Sequence, residues 1–148
     1  MATRLKYERT SFLPDAVTQH TYGRWLKRKA VAHTRRDRKR GNSSAKIEAY
    51  KIAIHRAVLD SDGVDEYTGQ RLDWHLISRY DNVESSGKKR RYKTEFAFLP
   101  TVDHIGDGLG EAAFKICGWR TNDAKSDISY PEFVDLCRLV VMHFERKQ

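Results

Sequence analysis

Between Arg24 and Arg40 nine of seventeen residues are basic, and Asp37 is the only acid among them. Cations packed this densely along a helix repel one another unless a polyanion lies near. Between and before them Val17, Tyr22, Trp25, Leu26, Ala30 and Val31 form an irregular apolar stripe. That spacing predicts a helix from Asp15 to about Arg40, stopped at Gly41-Asn42. Arg24, Lys27, Arg28, Arg35, Arg36, Arg38, Lys39 and Arg40 are then the expected phosphate contacts of a nucleic-acid-binding segment, with binding that weakens steeply in salt. Lys88, Lys89, Arg90 and Arg91 form a second basic cluster, beside Tyr92, and a second expected contact patch. Read without function, the same stretch is a solvated helix face that aids solubility.

The charge is one-sided. Residues 1–60 hold 15 basic and 5 acidic residues, whereas residues 61–148 hold 13 and 15. Such asymmetry points to a basic, helical nucleic-acid-binding part over 1–60 joined to a part with different work over 61–148, within one compact unit. The hydrophobic share of 39% predicts a modest core. No apolar run is long enough to cross a membrane, and the N-terminus lacks the apolar stretch of a secretory signal. Cys117 and Cys137 are too few for a disulfide scaffold and fit packing positions. A cytoplasmic location is the simplest expectation.

The remaining pattern predicts an α+β fold. Ser43 or Ser44 is placed to cap a second helix, to about Asp60, with Ile47, Tyr50, Ile54, Ala57 and Val58 on one face. A tight turn is expected at Tyr67–Gln70, a short helical turn over Asp73–Ser78, and an exposed loop over Asp81–Lys93. Phe96 and Phe98 alternate as in a strand, which Thr101–Ile105 continues or restarts. Gly106–Gly110 connects it to a second strand over Phe114–Gly118, and Thr121 or Asn122 starts a short helix. Ser129-Tyr130-Pro131-Glu132 has the form of a capping box. It opens an amphipathic helix with Phe133, Leu136, Cys137, Val140, Val141 and Phe144 on one stripe, expected to close the hydrophobic side.

The chemistry concentrates at Val102-Asp103-His104-Ile105 and Trp119–Asp127. Asp103 and His104, adjacent at a strand end, point to opposite sides. Asp103 can hold a hard cation through oxygen while His104 faces an attacking water. Asn122, at the start of the following helix, can supply a second oxygen. Two protein ligands suit one Mg²⁺-like ion that takes the rest of its shell from water and substrate phosphate. A histidine near its ordinary pKa suits proton abstraction at neutral pH. Read without catalysis, Asp-His is a hydrogen-bonded turn and Thr-Asn-Asp a helix cap. His20, His33, His55, His75 and His143 show no short ligand spacing, and His33 and His55 are expected on helix faces.

LPTVDHI at 99–105, followed by FKICGWRTNDAKSDISYPEFVDLC at 114–137, resembles the HNH or ββα-metal nucleases, and DEYTGQRL at 65–72 is similar to the hairpin that precedes their motif. The resemblance covers roughly residues 64–140. It implies a small ββα-metal core, Asp103 and Asn122 as ligands of one Mg²⁺ or Mn²⁺, His104 as general base, and Arg120 and Lys125 as phosphate contacts. It also implies DNA as substrate, nicked one strand at a time by a monomer, with a homodimer possible.

Two departures matter. The positions where many members carry zinc ligands are here Tyr67, Gln70, Gly118 and Thr121, so no structural zinc can form and aromatic packing is expected to tie the fold instead. The middle Asn of the family name would fall near Ala113, so Asp107 or a backbone carbonyl is expected to orient His104. The alternative function is a non-catalytic DNA- or RNA-binding protein that keeps the fold with a decayed site.

Overall fold

Thr18 starts the first helix by accepting the backbone N–H of Thr21 on its hydroxyl, at 3.1 Å. Val17 before the cap and Tyr22 after it are both fully buried, at the two positions of a hydrophobic staple. The helix, α1, spans Gln19–Lys39 in a computed structural model that describes residues 5–78 and 94–148. It begins four residues later than its apolar stripe suggested, because the cap sits at Thr18. The expected loop at Asp81–Lys93 lies outside the described residues.

The second helix, α2, spans Ile47–Ser61 and packs along α1. Neither Ser43 nor Ser44 caps it. Lys46 occupies the cap position without a side-chain bond, while the Ser44 hydroxyl donates to Asn42 Oδ1 at 2.9 Å. Tyr50, Ile54, Ala57 and Val58 are buried as the stripe predicts, and Ile47 lies exposed at the helix start. Asp62, in the left-handed region at φ 51°, terminates α2.

A single 3₁₀ turn spans Trp74–Ser78. Strand β1 (Pro100–His104) then pairs antiparallel with β2 (Phe114–Gly118), in a register that sets Asp103 opposite Lys115 and His104 opposite Phe114. Phe96 and Phe98 do not form a strand. Their segment folds as turns, and the Leu99 and Ala97 carbonyls accept from the Trp119 and Arg120 N–H groups. Helix α3 (Trp119–Lys125) accordingly starts directly after β2, two residues before Thr121. The class is therefore α+β, with four α-helices and a two-stranded sheet among the described residues. The core runs through both halves of the chain: Tyr22, Leu26, Ile54 and Val58 from the helices meet Ile116 from the sheet, and Trp25 meets Trp74 edge to face.

The last helix, α4 (Tyr130–Arg146), has the capping box, with Ser129 and Glu132 exchanging bonds at 3.3 and 2.9 Å. It does not close the hydrophobic side. None of its residues is buried, because α1, α2 and the sheet complete the core without it. Its start is held by Tyr130, whose ring meets that of Tyr67 at 4.8 Å.

The tie between the Tyr67–Gln70 turn and the start of α3 is a carboxylate. Asp65, 2% exposed, accepts the N–H groups of Tyr67 and Thr68 on Oδ1 at 2.8 and 3.2 Å. Its Oδ2 accepts the Gly118 N–H at 2.9 Å and the Thr121 hydroxyl at 2.7 Å. Four hydrogen bonds to one buried oxygen pair thus tie the turn to α3, beside the Tyr67–Tyr130 ring contact. Glycine is required at 118 for space, since a Cβ there would stand 2.9 Å from the Ala97 carbonyl oxygen. Leaving several buried donors unpaired costs about 1–3 kcal/mol each. Asp65→Ala is therefore expected to lower the urea-unfolding free energy by about 3–5 kcal/mol, and Asp65→Asn, which keeps one acceptor, by less.

Candidate functional site

Beside the β-hairpin lies an open cleft of about 740 Å³. Asp103 and His104 reach it from the end of β1, Asn122 and Lys125 from α3, and Arg36 and Arg40 from the last turns of α1. The three residues expected to carry chemistry therefore line one cavity, and two of the basic residues of α1 flank it.

Asp103 is 7% exposed. Its Oδ2 accepts the Tyr67 hydroxyl and sits 3.1 Å from the Lys125 ammonium, itself buried. Burial, the hydrogen bond to Asp103 and that carboxylate's charge push the Tyr67 pKa well above its ordinary value, so Tyr67 keeps its proton and donates it. Lys125 is thus the counter-ion of Asp103 instead of a free phosphate contact. Arg120 lies elsewhere: its guanidinium carbon stacks 5.0 Å over the Phe98 ring, and Nη2 donates to Gln70 Oε1 at 3.3 Å. It lines an apolar groove beside α4 and not the cleft.

His104 turns toward α1. Its Nε2 lies 2.9 Å from Oδ2 of Asp37, and both side chains are almost wholly buried. The same Asp37 oxygen accepts the Tyr50 hydroxyl from α2. The Tyr50 pKa is pushed up to about 12 by burial first, then by its bond to Asp37. A carboxylate can only accept, so Nε2 donates to it; Nδ1 is buried and has no hydrogen-bond partner. The residue that orients His104 is therefore Asp37. Asp107 instead accepts the Leu109 N–H at 2.9 Å within its own turn.

The 106–110 loop is more than a connection between strands. Asn42 Nδ2 donates to the Gly108 carbonyl at 2.8 Å, holding the loop against the end of α1. Gly108 has φ +83°, and a Cβ there would stand 2.5 Å from Asp37 Oδ1. Only glycine lets the loop lie over that carboxylate.

Sequence reasoning overlooked Asp37 and His33. The buried face of α1 runs Tyr22, Leu26, Ala30, His33, Thr34, Asp37, so its last two turns are polar where the stripe should be apolar. That i, i+4, i+7, i+8, i+11 spacing from Leu26 was the available signal. His33 lies on the buried face of α1. Its ring lies 6.1 Å from that of His104, nearly parallel to it, and its Nδ1 accepts from Arg36 Nη2 at 2.5 Å.

The outward cations of α1 divide. Arg24, Lys27, Arg28 and Arg35 line a separate shallow groove with Val31 and Ala32, while Arg38 donates to the Ala45 carbonyl at 2.9 Å and Lys39 is exposed. Lys88, Lys89, Arg90 and Arg91 lie outside the described residues. Burial raises the Cys117 thiol pKa well above its ordinary value, in keeping with a packing role.

Among the described residues no three His, Cys, Asp or Glu side chains converge as a metal-holding group. Asp103 and Asn122 line the same cleft and offer oxygen atoms, the donor type that a hard divalent cation takes. Tyr67, Gln70, Gly118 and Thr121 offer neither thiolate nor imidazole for zinc. No helix among the described residues is long and apolar enough to cross a membrane. No protein-family model matches the chain, and no curated protein and no solved structure matches it.

Burial first, then the charges of Arg36, Lys29 and His104, lower the His33 pKa to about 3. The unfolded chain protonates this residue below about pH 6.5, so between there and the folded value the unfolded state binds the additional proton. Stability therefore falls as pH is lowered through that window, by at most about 1.4 kcal/mol per pH unit from this residue. In urea titrations between about pH 6.5 and 4.5, His33→Gln is expected to show a shallower loss than wild type.

Proposed function

We propose that this chain is a metal-dependent DNA endonuclease of the HNH type, built on a ββα-metal core and hydrolysing phosphodiester bonds. The observation that carries the reading is one cleft lined by Asp103, His104 and Asn122 and flanked by Arg36 and Arg40. A hydrolytic site for a phosphodiester needs a base for water, relief of charge on the phosphate, and cations that hold the backbone. All three kinds of group occur here.

In the proposed reaction the Nδ1 lone pair of His104 takes a proton from water. Asp37, on Nε2, fixes the tautomer and offsets the charge of the imidazolium that forms, much as a buried carboxylate does for other histidine bases. Tyr50 holds Asp37 in place. Arg36 and Arg40 bind the phosphate backbone at the cleft mouth, and Arg24, Lys27, Arg28 and Arg35 extend the contact along α1. Asp103 and Asn122 would hold a single Mg²⁺ or Mn²⁺, which when bound would neutralise charge on the scissile phosphate and its leaving oxygen. With a cation on Asp103, the Lys125 ammonium, 3.1 Å from that carboxylate, would be available to phosphate. One such site cuts one strand.

The second reading is a nucleic-acid-binding protein that does not cleave. It is favoured by the Lys125 ammonium, which sits on Asp103 where a cation is wanted, and by the burial of His104 Nδ1. RNA stays open as the ligand under this reading, since basic helices bind structured RNA by shape.

Plasmid nicking separates the two. Wild type is expected to nick supercoiled DNA with Mg²⁺ or Mn²⁺ and not with EDTA, and His104→Ala to lose ~10²–10⁴-fold while keeping DNA binding. Asp37→Asn is expected to lose ~10²-fold or more through the wrong tautomer. Absence of cutting on supercoiled, relaxed, single-stranded and branched DNA, with binding retained, selects the second reading. Under either reading Arg36→Ala/Arg40→Ala lowers the slope of log affinity against log salt by about 2 in gel-shift titrations.

A further inference from the structure

The core takes one half of α1 and leaves the other half at the surface. Asp37 is the only acid of the helix and is buried, so the outward half carries no negative charge. Arg24, Arg28, Val31, Ala32 and Arg35 follow one another at i, i+4, i+7, i+8 and i+11, which sets them in one stripe along the helix. At about 100° per residue that stripe stands roughly opposite the buried face. Arg24, Lys27, Arg28 and Arg35 have neither a carboxylate nor a hydrogen-bond partner among the described residues. Held this close on one helix, they repel one another until a polyanion lies against them.

The shape of this half-helix selects among polyanions. An α-helix with its side chains is about 10–12 Å across, and the major groove of B-form DNA is about 12 Å wide. The major groove of an RNA duplex is too deep and narrow to admit it. From Arg24 to Arg35 the stripe is about 16 Å long, which matches about five base pairs. Arginine is the commonest side chain to read guanine from that groove, and small apolar side chains such as Val31 and Ala32 suit the thymine methyl. Lys27 and Arg36 stand roughly 90° to opposite sides of the stripe, where the two phosphate strands wall a groove. An anionic lipid surface is disfavoured, because the outward half has no large apolar side chain to bury in it.

We propose that α1 lies in the major groove of B-form duplex DNA, with Arg24, Arg28 and Arg35 at the base edges and Lys27 and Arg36 on opposite backbones. Arg36 also lines the cleft, so the strand on its side is the one led toward Asp103, His104 and Asn122. Groove insertion rests on the nucleic-acid binding of the proposed function, and only the choice of strand rests on cleavage.

Fluorescence anisotropy of the full chain with labelled duplexes of mixed sequence, in EDTA so that no strand is cut, tests the insertion. The decisive probe is a duplex whose cytosines carry glucosylated 5-hydroxymethyl groups, which fill the major groove and leave the phosphate charge unchanged. Wild type is expected to bind it at least ~10-fold more weakly than the unmodified duplex, and an RNA duplex of the same sequence likewise. Netropsin, which fills the minor groove, is expected to leave binding in place. Arg28 is exposed, so Arg28→Ala is expected to keep the far-ultraviolet circular dichroism and the melting temperature. It is expected to lose ~10-fold in affinity on the unmodified duplex and less on the filled one. An equal loss on both means a merely electrostatic contact and overturns the placement of Arg28 at the base edges. Equal affinity of wild type for the plain and filled duplexes overturns groove insertion, as does displacement by netropsin or tighter binding of the RNA duplex. Retention on none of the duplexes overturns it together with nucleic-acid binding. Groove-dependent binding without nicking in Mg²⁺ or Mn²⁺ removes the endonuclease reading alone, so the two fail separately.

Discussion

The buried carboxylate of Asp37 joins four parts of the chain at one point. It sits on α1, accepts the Tyr50 hydroxyl of α2, faces Nε2 of His104 at the end of β1 and is covered by Gly108 of the inter-strand loop. A carboxylate removed from water needs partners, and on this one a phenol held in its protonated form and an imidazole N–H both serve Oδ2, while Oδ1 is buried without a hydrogen-bond partner. The position of His104 follows from that requirement. Without Asp37 the imidazole would have no partner on Nε2, and its tautomer would be undetermined.

A second buried carboxylate performs a comparable task at the other end of the hairpin. Asp65 gathers two N–H groups from its own turn and two donors from the start of α3. The N–H groups of a turn and of a helix start are unsatisfied by the elements themselves, so a carboxylate between them resolves both at once. The tie places α3, and with it Asn122 and Lys125, against the cleft.

Helix α1 serves two opposed demands. Its outer faces carry the cations, and its inner face begins apolar and ends with His33, Thr34 and Asp37. Thr34 returns its hydroxyl to the Ala30 carbonyl at 2.6 Å, and His33 stays neutral between Arg36 and His104, so no unpaired charge is added to the buried strip. Placing a polar strip under a basic surface brings Arg36 and Arg40 to the cleft mouth while the next residue along from Arg36 points inward.

Much of the fold was legible because its elements announce themselves locally. The 3.6-residue stripe of α2, the Ser129–Glu132 capping box and the period of Phe114–Gly118 depend on nearest neighbours along the chain, and each forms as patterned. Phe96 and Phe98 misled for the same reason: alternation over three residues is too short to distinguish a strand from a turn whose carbonyls are needed by α3. The apolar face of α4 was also read correctly as a face, but its period does not say whether the partner lies in the same chain. The sequence by itself determined which residues carry charge, that helices and a short hairpin follow in this order, and where the capping box opens the last helix. Only the tertiary structure decided that Asp37 meets His104 across 67 positions, that Asp65 meets Gly118 and Thr121, and that Lys125 rests on Asp103. Those pairings arise from burial, which forces polar groups distant in sequence to find one another once water is excluded, and no local spacing encodes which pair will do so.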